Sequence, residues 1–160
     1  MNPDIYRILL IVDTSSAWFM TGLVWFCAIV HYPLFAAVDS NDFRIYHAGH
    51  VRRTQRIVLL PMLLELASAI TIAAYPPFEV RGSWLPLAGA AFVVAVWLCT
   101  MLGQVPDHEK LSSGFDARIH RSLLRGNFVR SLFWTGHALV VSLQCHQVMI
   151  RGTITASVPG

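Results

Sequence analysis

Histidines gather near the ends of apolar segments in a pattern that suits a metal site. His31 closes one apolar run, whereas His50, His108 and His120 lie in polar stretches between such runs. Neutral imidazole is the commonest protein ligand for metal ions and suits zinc, copper and iron. We therefore predict that these four histidines are ligands of a transition metal or of haem. The alternative is that they lie at the lipid headgroup level and bond to carbonyls, phosphates or carboxylates, since only His47 and His50 form a close pair.

Three further residues are candidates for chemistry. Glu65 lies nine residues beyond Arg56, or about 13 Å along a helix, and an ionisable group at that depth in a membrane faces the protein interior by default. We predict a catalytic role for Glu65 and Asp116, the alternative for Glu65 being a carboxyl bonded to a backbone carbonyl freed by Pro61. His137 is a candidate axial ligand of haem, or else a histidine bonded to a neighbouring helix.

The composition indicates a membrane protein. The chain has 160 residues, of which 55% are hydrophobic and 13% charged, and its mean hydropathy is +0.54. Four stretches reach the length of about 20 residues that crosses a bilayer as a helix; they are residues 17–37, 57–75, 84–104 and 128–150. We predict an all-α fold with residues 1–160 as a single domain, a bundle of four transmembrane helices with cytoplasmic extensions.

The basic residues predict an orientation. Nine of the twelve lie in or beside the connections after the first and third predicted spans, and three lie on the other side. Because positive loops stay in the cytoplasm, both termini are predicted to be periplasmic. The same asymmetry accounts for the positive charge, so nucleic acid is not an expected partner.

Helix periodicity predicts how the first span is turned. Asp13 and His31 are eighteen residues apart, about five helical turns, so they share a stripe. We expect His31 to point into the bundle toward His50, His108 or His120. Asp13 is expected near the outer surface, with His146 as its partner.

The motifs HYPLF, YHAGHVRRT, LPMLLEL and GFDARIHRSLLRGN resemble a family of uncharacterised bacterial inner-membrane proteins with four helices. The resemblance covers most of the chain. It implies a multi-pass protein of the bacterial inner membrane and assigns no activity to any residue.

Three classes of function remain open. The first is metal- or haem-linked redox chemistry on a small or lipophilic substrate, with iron, copper or zinc as the metal, which would make the chain a membrane oxidoreductase. The second is a transporter or channel for a small substrate, coupled to protons. The third is a structural or assembly subunit. The lipid bilayer is the expected partner in each class, and a homo-oligomer or a membrane complex is compatible with all three.

Overall fold

The structure, a computed structural model, describes residues 1–77 and 82–156, and most of these residues are helical. Those residues contain no strand. The helices are α1 (Pro3–Phe26), α2 (Phe43–Ala74), α3 (Leu85–Cys99), α4 (Val105–Leu111) and α5 (Ala117–Ala156). Arg81, one of the basic residues counted for orientation, lies outside the described residues, as does the side chain of Arg151.

Two helices begin at side chains that accept backbone N–H groups. The Asn2 side chain accepts from the N–H of Asp4 at 2.8 Å, and Pro3 fills the first helical position, where its missing N–H is not needed. The Asp116 carboxylate accepts from the N–H groups of Arg118 at 2.6 Å and Ile119 at 3.1 Å. Asp116 is therefore the N-cap of α5, and α5 continues through Gly126 without a break.

Helix α2 is one continuous element of 32 residues that includes Pro61. Its extension beyond the predicted span of residues 57–75 is confirmed. The helix begins after Asp42, whose side chain makes no capping hydrogen bond.

Two π-helical turns interrupt the bundle, at Cys27–His31 and Thr100–Gln104. Each ends just before a proline, Pro33 or Pro106, which cannot donate the usual helix hydrogen bond and crowds the preceding turn. In the first turn the N–H of Tyr32 reaches back to the carbonyl of Cys27 at 2.9 Å. An extra residue in a turn rotates everything beyond it, and such bulges are frequent at functional sites.

Three helical segments are long and apolar enough to cross a membrane, namely Pro3–Ala37, Phe43–Ala74 and Leu85–Leu111. Each contains or largely covers one predicted span. The fourth predicted span, residues 128–150, lies within α5, which does not qualify by composition in the described part of the chain. The reason is visible in its sequence, because Arg130, His137 and Gln144 interrupt its apolar residues.

Polar side chains face inward and apolar side chains face outward. Asn127, Ser131 and His137 of α5 are fully buried, whereas Leu132 and Leu139 of the same helix are about half exposed. The outer surfaces of the other long helices carry many exposed isoleucines, leucines, valines and phenylalanines. A soluble protein does not expose apolar surface on this scale, so the distribution indicates contact with a lipid bilayer.

Candidate metal centre

Four imidazoles meet at one end of the bundle and form what we call the histidine cluster, which consists of His31, His47, His50 and His108. Nε2 of His31 lies 2.7 Å from Nδ1 of His50, and Nε2 of His47 lies 3.0 Å from Nδ1 of His108. The two pairs adjoin each other, with 5.5 Å between the ring centroids of His50 and His108. Four imidazole nitrogens are thus arranged as two neighbouring pairs.

Three elements bring these histidines together. His31 is the last residue of the first π-helical turn. His47 and His50 lie one turn apart near the start of α2, where both are buried. His108 lies on α4, directly after the second π-helical turn. One histidine of the cluster therefore lies in the first π-helical turn, and another lies in the helix that follows the second.

Tyr32 and aromatic side chains support the cluster. The hydroxyl of Tyr32 lies 3.2 Å from Nε2 of His108, while Nε2 of His120 donates to the carbonyl of Tyr32 at 2.8 Å. Phe35 is fully buried, with its ring 5.1 Å from the ring of His50 and 6.3 Å from that of His120. His120 therefore lies beside the histidine cluster and fixes the backbone next to it.

Each nitrogen pair is a hydrogen bond between two imidazoles, with 2.7 Å between His31 and His50 and 3.0 Å between His47 and His108. Two ligands of one metal ion with bonds of about 2.0–2.1 Å lie about 2.8–3.4 Å apart, so each pair is close to that spacing. Among the described residues, no three of these histidines have ligand nitrogens that all lie within 4.8 Å of one another, so an ion bound to all four requires the rings to move closer together. Nδ1 of His47 is buried and has no hydrogen-bond partner. A buried nitrogen without a partner is costly, but Nδ1 lies on a different side of the ring from Nε2, which faces His108, so an ion bound by Nε2 would not satisfy Nδ1.

A second buried polar group, here called the buried triad, consists of Asp13, Glu65 and His137. Nε2 of His137 lies 3.3 Å from a carboxylate oxygen of Asp13 and 3.3 Å from one of Glu65. All three residues are buried, with Glu65 and His137 at 0% exposure. The ligand atoms of these three residues lie within 4.8 Å of one another, an arrangement that could hold a metal ion.

Four helices contribute contacts to the triad. Asp13 comes from α1, Glu65 from α2 and His137 from α5. Nδ1 of His137 donates to the carbonyl of Gly89 in α3 at 3.1 Å, and Ser68 Oγ donates to Asp13 at 3.1 Å. The expected pairing of Asp13 with His146 is wrong, because Asp13 is buried against His137 and His146 is exposed.

Buried polar residues also lie between the two groups. Arg130 donates to the side-chain oxygen of Asn127 at 2.8 Å and to the hydroxyl of Thr100 at 3.4 Å. Asn127 in turn donates to the carbonyl of Val24 at 3.1 Å. Arg130 is thus held by neutral groups inside the bundle and does not extend to the interface.

Asp116 lies apart from both groups, at the start of α5. The backbone N–H groups of Ile119 and Arg118 hold the pKa of this exposed carboxyl below its usual range. The observed contacts of Asp116 are those of a helix cap.

Comparison with known proteins found no match for this chain among family models, curated proteins or solved structures.

The structure joins some of the predicted site residues and separates others. His31, His50 and His108 come together, and the inward orientation expected for His31 is confirmed by its contact with His50. Glu65 and His137 also come together, but in the separate buried triad. The list of predicted ligands omitted His47, although its spacing of three residues from His50 was visible in the sequence.

Proposed function

We propose that the chain is an integral membrane metalloprotein whose histidine cluster holds a transition-metal ion, and that its activity is redox chemistry on a small or lipophilic substrate. The observation that supports this most strongly is the convergence of four imidazoles from three elements in two close pairs. An all-imidazole donor set suits copper, iron or zinc. Copper or iron would provide the redox chemistry. The ion would bind to His31, His47, His50 and His108.

The surroundings of the cluster support a metal ion over haem. His31, His47 and His50 have ring neighbours on several sides, a packing that suits a compact ion better than a flat macrocycle. His137, the predicted axial ligand, has one nitrogen bonded to a backbone carbonyl and the other facing two carboxylates. We therefore assign the proposed cofactor as a metal ion.

We propose a bundle of four transmembrane helices in a bacterial inner membrane, with α5 as the fourth. Helix α5 packs against α1 and α3, and its polar residues face the bundle interior, so its outer surface is apolar. In this arrangement the histidine cluster lies at the cytoplasmic face, because the basic residues of both connections are on that side. Its substrate would enter from the cytoplasm or from the inner leaflet.

The test is the metal content of the protein. The chain is purified without a histidine tag, iron, copper and zinc are measured, and the visible spectrum is recorded. His31→Ala and His50→Ala are each expected to lower the metal content by one ion per chain. His146→Ala is the matched control, because His146 is exposed and lies outside both polar groups, so this variant is expected to retain the metal.

Two results with the wild type and the cluster variants, and a third with the control, would contradict the proposal. One is a protein that remains metal-free after incubation with each of the three ions. The other is a metal content that is the same in the wild type, His31→Ala and His50→Ala. Loss of metal in His146→Ala as well would indicate adventitious binding and would likewise count against the site.

A proton-coupled transporter is a second candidate, favoured by the buried polar residues that extend along α5. His120, Asn127, Arg130 and His137 are all buried on this one helix, and titratable groups inside a membrane protein often mark a proton path. Uptake of protons into vesicles containing the purified chain, abolished by Glu65→Gln, would support this candidate over the metal-linked one.

A further inference from the structure

We propose that the buried triad of Asp13, Glu65 and His137 is a second metal site, which binds a divalent first-row ion such as Mn²⁺, Fe²⁺ or Zn²⁺ and is separate from the histidine cluster. The proposal goes beyond the proposed function and does not depend on it. The sites are far apart, since Glu65 lies fifteen residues beyond His50 on the same helix, which corresponds to about 22 Å.

The tautomer of His137 is the first argument. Its Nδ1 donates a proton to the carbonyl of Gly89, so the neutral ring presents a lone pair at Nε2. That lone pair faces one carboxylate oxygen of Asp13 and one of Glu65. Three electron-donating atoms directed at one another repel unless a proton or a metal cation lies between them, and the contact with Asp13 also has the geometry of a hydrogen bond.

The distances are the second argument. A charge-assisted hydrogen bond from a protonated imidazole to a carboxylate is about 2.7–2.9 Å long, and both contacts here are longer, at 3.3 Å. Two ligands of one ion with bonds of about 2.0–2.2 Å lie about 2.8–3.6 Å apart. Both observed contacts fit the edges of a metal coordination polyhedron.

The missing partners of Glu65 are the third argument. Its side chain is completely buried, at 0% exposure, and neither of its carboxylate oxygens accepts a hydrogen bond. Buried polar groups are normally satisfied, so both oxygens are available to bind a ligand that is not part of the chain. A carboxylate is an acceptor only, which means that this ligand has to be a cation or a donor.

Charge balance favours a dication over a monovalent ion. With both carboxyls ionised on metal binding and the imidazole neutral, the three ligands carry a charge of −2, which a divalent ion cancels completely. A neutral complex is far less costly than a net charge in a bundle interior surrounded by lipid. The hydrogen bond from His137 to Gly89 is also the type of outer interaction that orients histidine ligands at metal sites.

Such an ion would connect the long helices. Its ligands come from α1, α2 and α5, and α3 takes part through the carbonyl of Gly89. A metal ion that binds the folded state but not the unfolded state stabilises the protein against unfolding. Bound metal is therefore expected to raise the unfolding temperature of the protein.

The experiment uses the full chain carrying His31→Ala and His50→Ala, so that metal at the histidine cluster does not contribute. After chelator treatment and dialysis, Zn²⁺ or Mn²⁺ alone is added, and the bound metal and the unfolding temperature are measured. One ion per chain and a higher unfolding temperature are expected. Adding Glu65→Gln to this protein should abolish both effects. Gln144→Leu is the matched control, since Gln144 is a buried polar residue of α5 that lies outside the triad.

X-ray absorption of the zinc-loaded protein provides a measurement that does not depend on the Glu65 variant. The expected first shell contains oxygen and nitrogen with a single imidazole. A shell with several imidazoles, an absence of bound metal, or equal metal content with and without Glu65→Gln would overturn the proposal. Failure at the histidine cluster would instead appear as identical metal content in the wild type and the His31→Ala, His50→Ala protein.

Discussion

His31 and His50 lie in direct contact, with Nε2 of the first 2.7 Å from Nδ1 of the second and with their ring centroids 4.6 Å apart. The contact depends on the backbone, because His31 ends a π-helical turn. If the backbone were α-helical at this place, His31 would be rotated about the helix axis by roughly 100°, the angle that one residue of a helix adds. The irregular backbone and the histidine pair are therefore linked.

Pro33→Ala should weaken metal binding at the histidine cluster. Alanine restores a backbone N–H and removes the ring that crowds the preceding turn, so the chain can relax toward an α-helix and turn His31 away from His50. The expected loss of metal affinity is about tenfold, as for other changes that disturb the orientation of a ligand. Titration of the metal-depleted protein measures it.

Pro3→Ala is the control for this prediction. Pro3 is also exposed, but it lies at the first position of α1, where no hydrogen bond is missing. It should leave metal affinity unchanged. Equal affinity of Pro33→Ala and the wild type would mean that the proline does not maintain the π-helical turn.

Much of the fold could be predicted from the sequence, because hydrophobic length determines which segments can span a bilayer. The helical class and the helix that includes Pro61 follow from this length. The cap at Asp116 follows instead from residue type, because aspartate is a favoured N-cap. The start of α1 was not, because Asp4, Arg7 and Asp13 interrupt the apolar run and the predicted span began only at Ala17. In the structure the helix starts at Pro3.

The composition of the two polar groups was harder to predict. The histidine cluster depends on two π-helical turns, and an inserted residue cannot be recognised from helical periodicity. Asp13 is a different case, because it lies four residues before the predicted first span, and this position predicts a place near the outer membrane surface. Its burial beside His137 depends on how four helices pack, which a single sequence does not specify.

Gly136→Ala should destabilise the bundle. A methyl group at this position would lie 2.6 Å from a ring carbon of Phe92, so α3 and α5 or the ring would have to move. The expected loss is about 1–3 kcal/mol, typical of overpacking. The unfolding temperature in detergent measures it.

Gly22→Ala is the matched control for Gly136→Ala. A methyl group at Gly22 meets nothing within 4 Å, and alanine favours a helix over glycine by about 0.8–1 kcal/mol. This variant should therefore be as stable as the wild type or more stable. If both alanine variants are equally stable, close packing at Gly136 is not required.

The cap at Asp116 should make the start of α5 sensitive to acid. The N–H groups of Ile119 and Arg118 lower the pKa of this carboxyl, so its stabilising effect is complete above the pKa of about 3.9 of a free aspartate. The effect is lost as pH falls through the lower pKa of the folded state. Hydrogen-exchange protection of residues 117–120, corrected for the intrinsic exchange rate, should fall over that interval.

Two substitutions separate the charge of Asp116 from its capping geometry. Asp116→Asn keeps an acceptor oxygen and is a good cap, so it should retain protection and lose the acid transition. Asp116→Ala should reduce protection at neutral pH. An acid transition that persists in Asp116→Asn would have to come from another group.

The orientation in the membrane is the last prediction. Nine basic residues on the side of the first and third connections, against three on the other side, should hold those connections in the cytoplasm. Asn2 and Ser113 are both exposed, and Asn2→Cys and Ser113→Cys can be made in a chain that lacks Cys27, Cys99 and Cys145. A membrane-impermeant thiol reagent should label Asn2→Cys in intact spheroplasts and Ser113→Cys only after lysis.

A reporter fused after residue 160 should indicate a periplasmic C-terminus if α5 crosses the membrane. Labelling of Ser113→Cys in intact spheroplasts would show that the orientation is the reverse of the predicted one and that the histidine cluster lies at the periplasmic face. If Asn2→Cys is labelled in intact spheroplasts but the reporter after residue 160 indicates the cytoplasm, α5 does not cross the membrane.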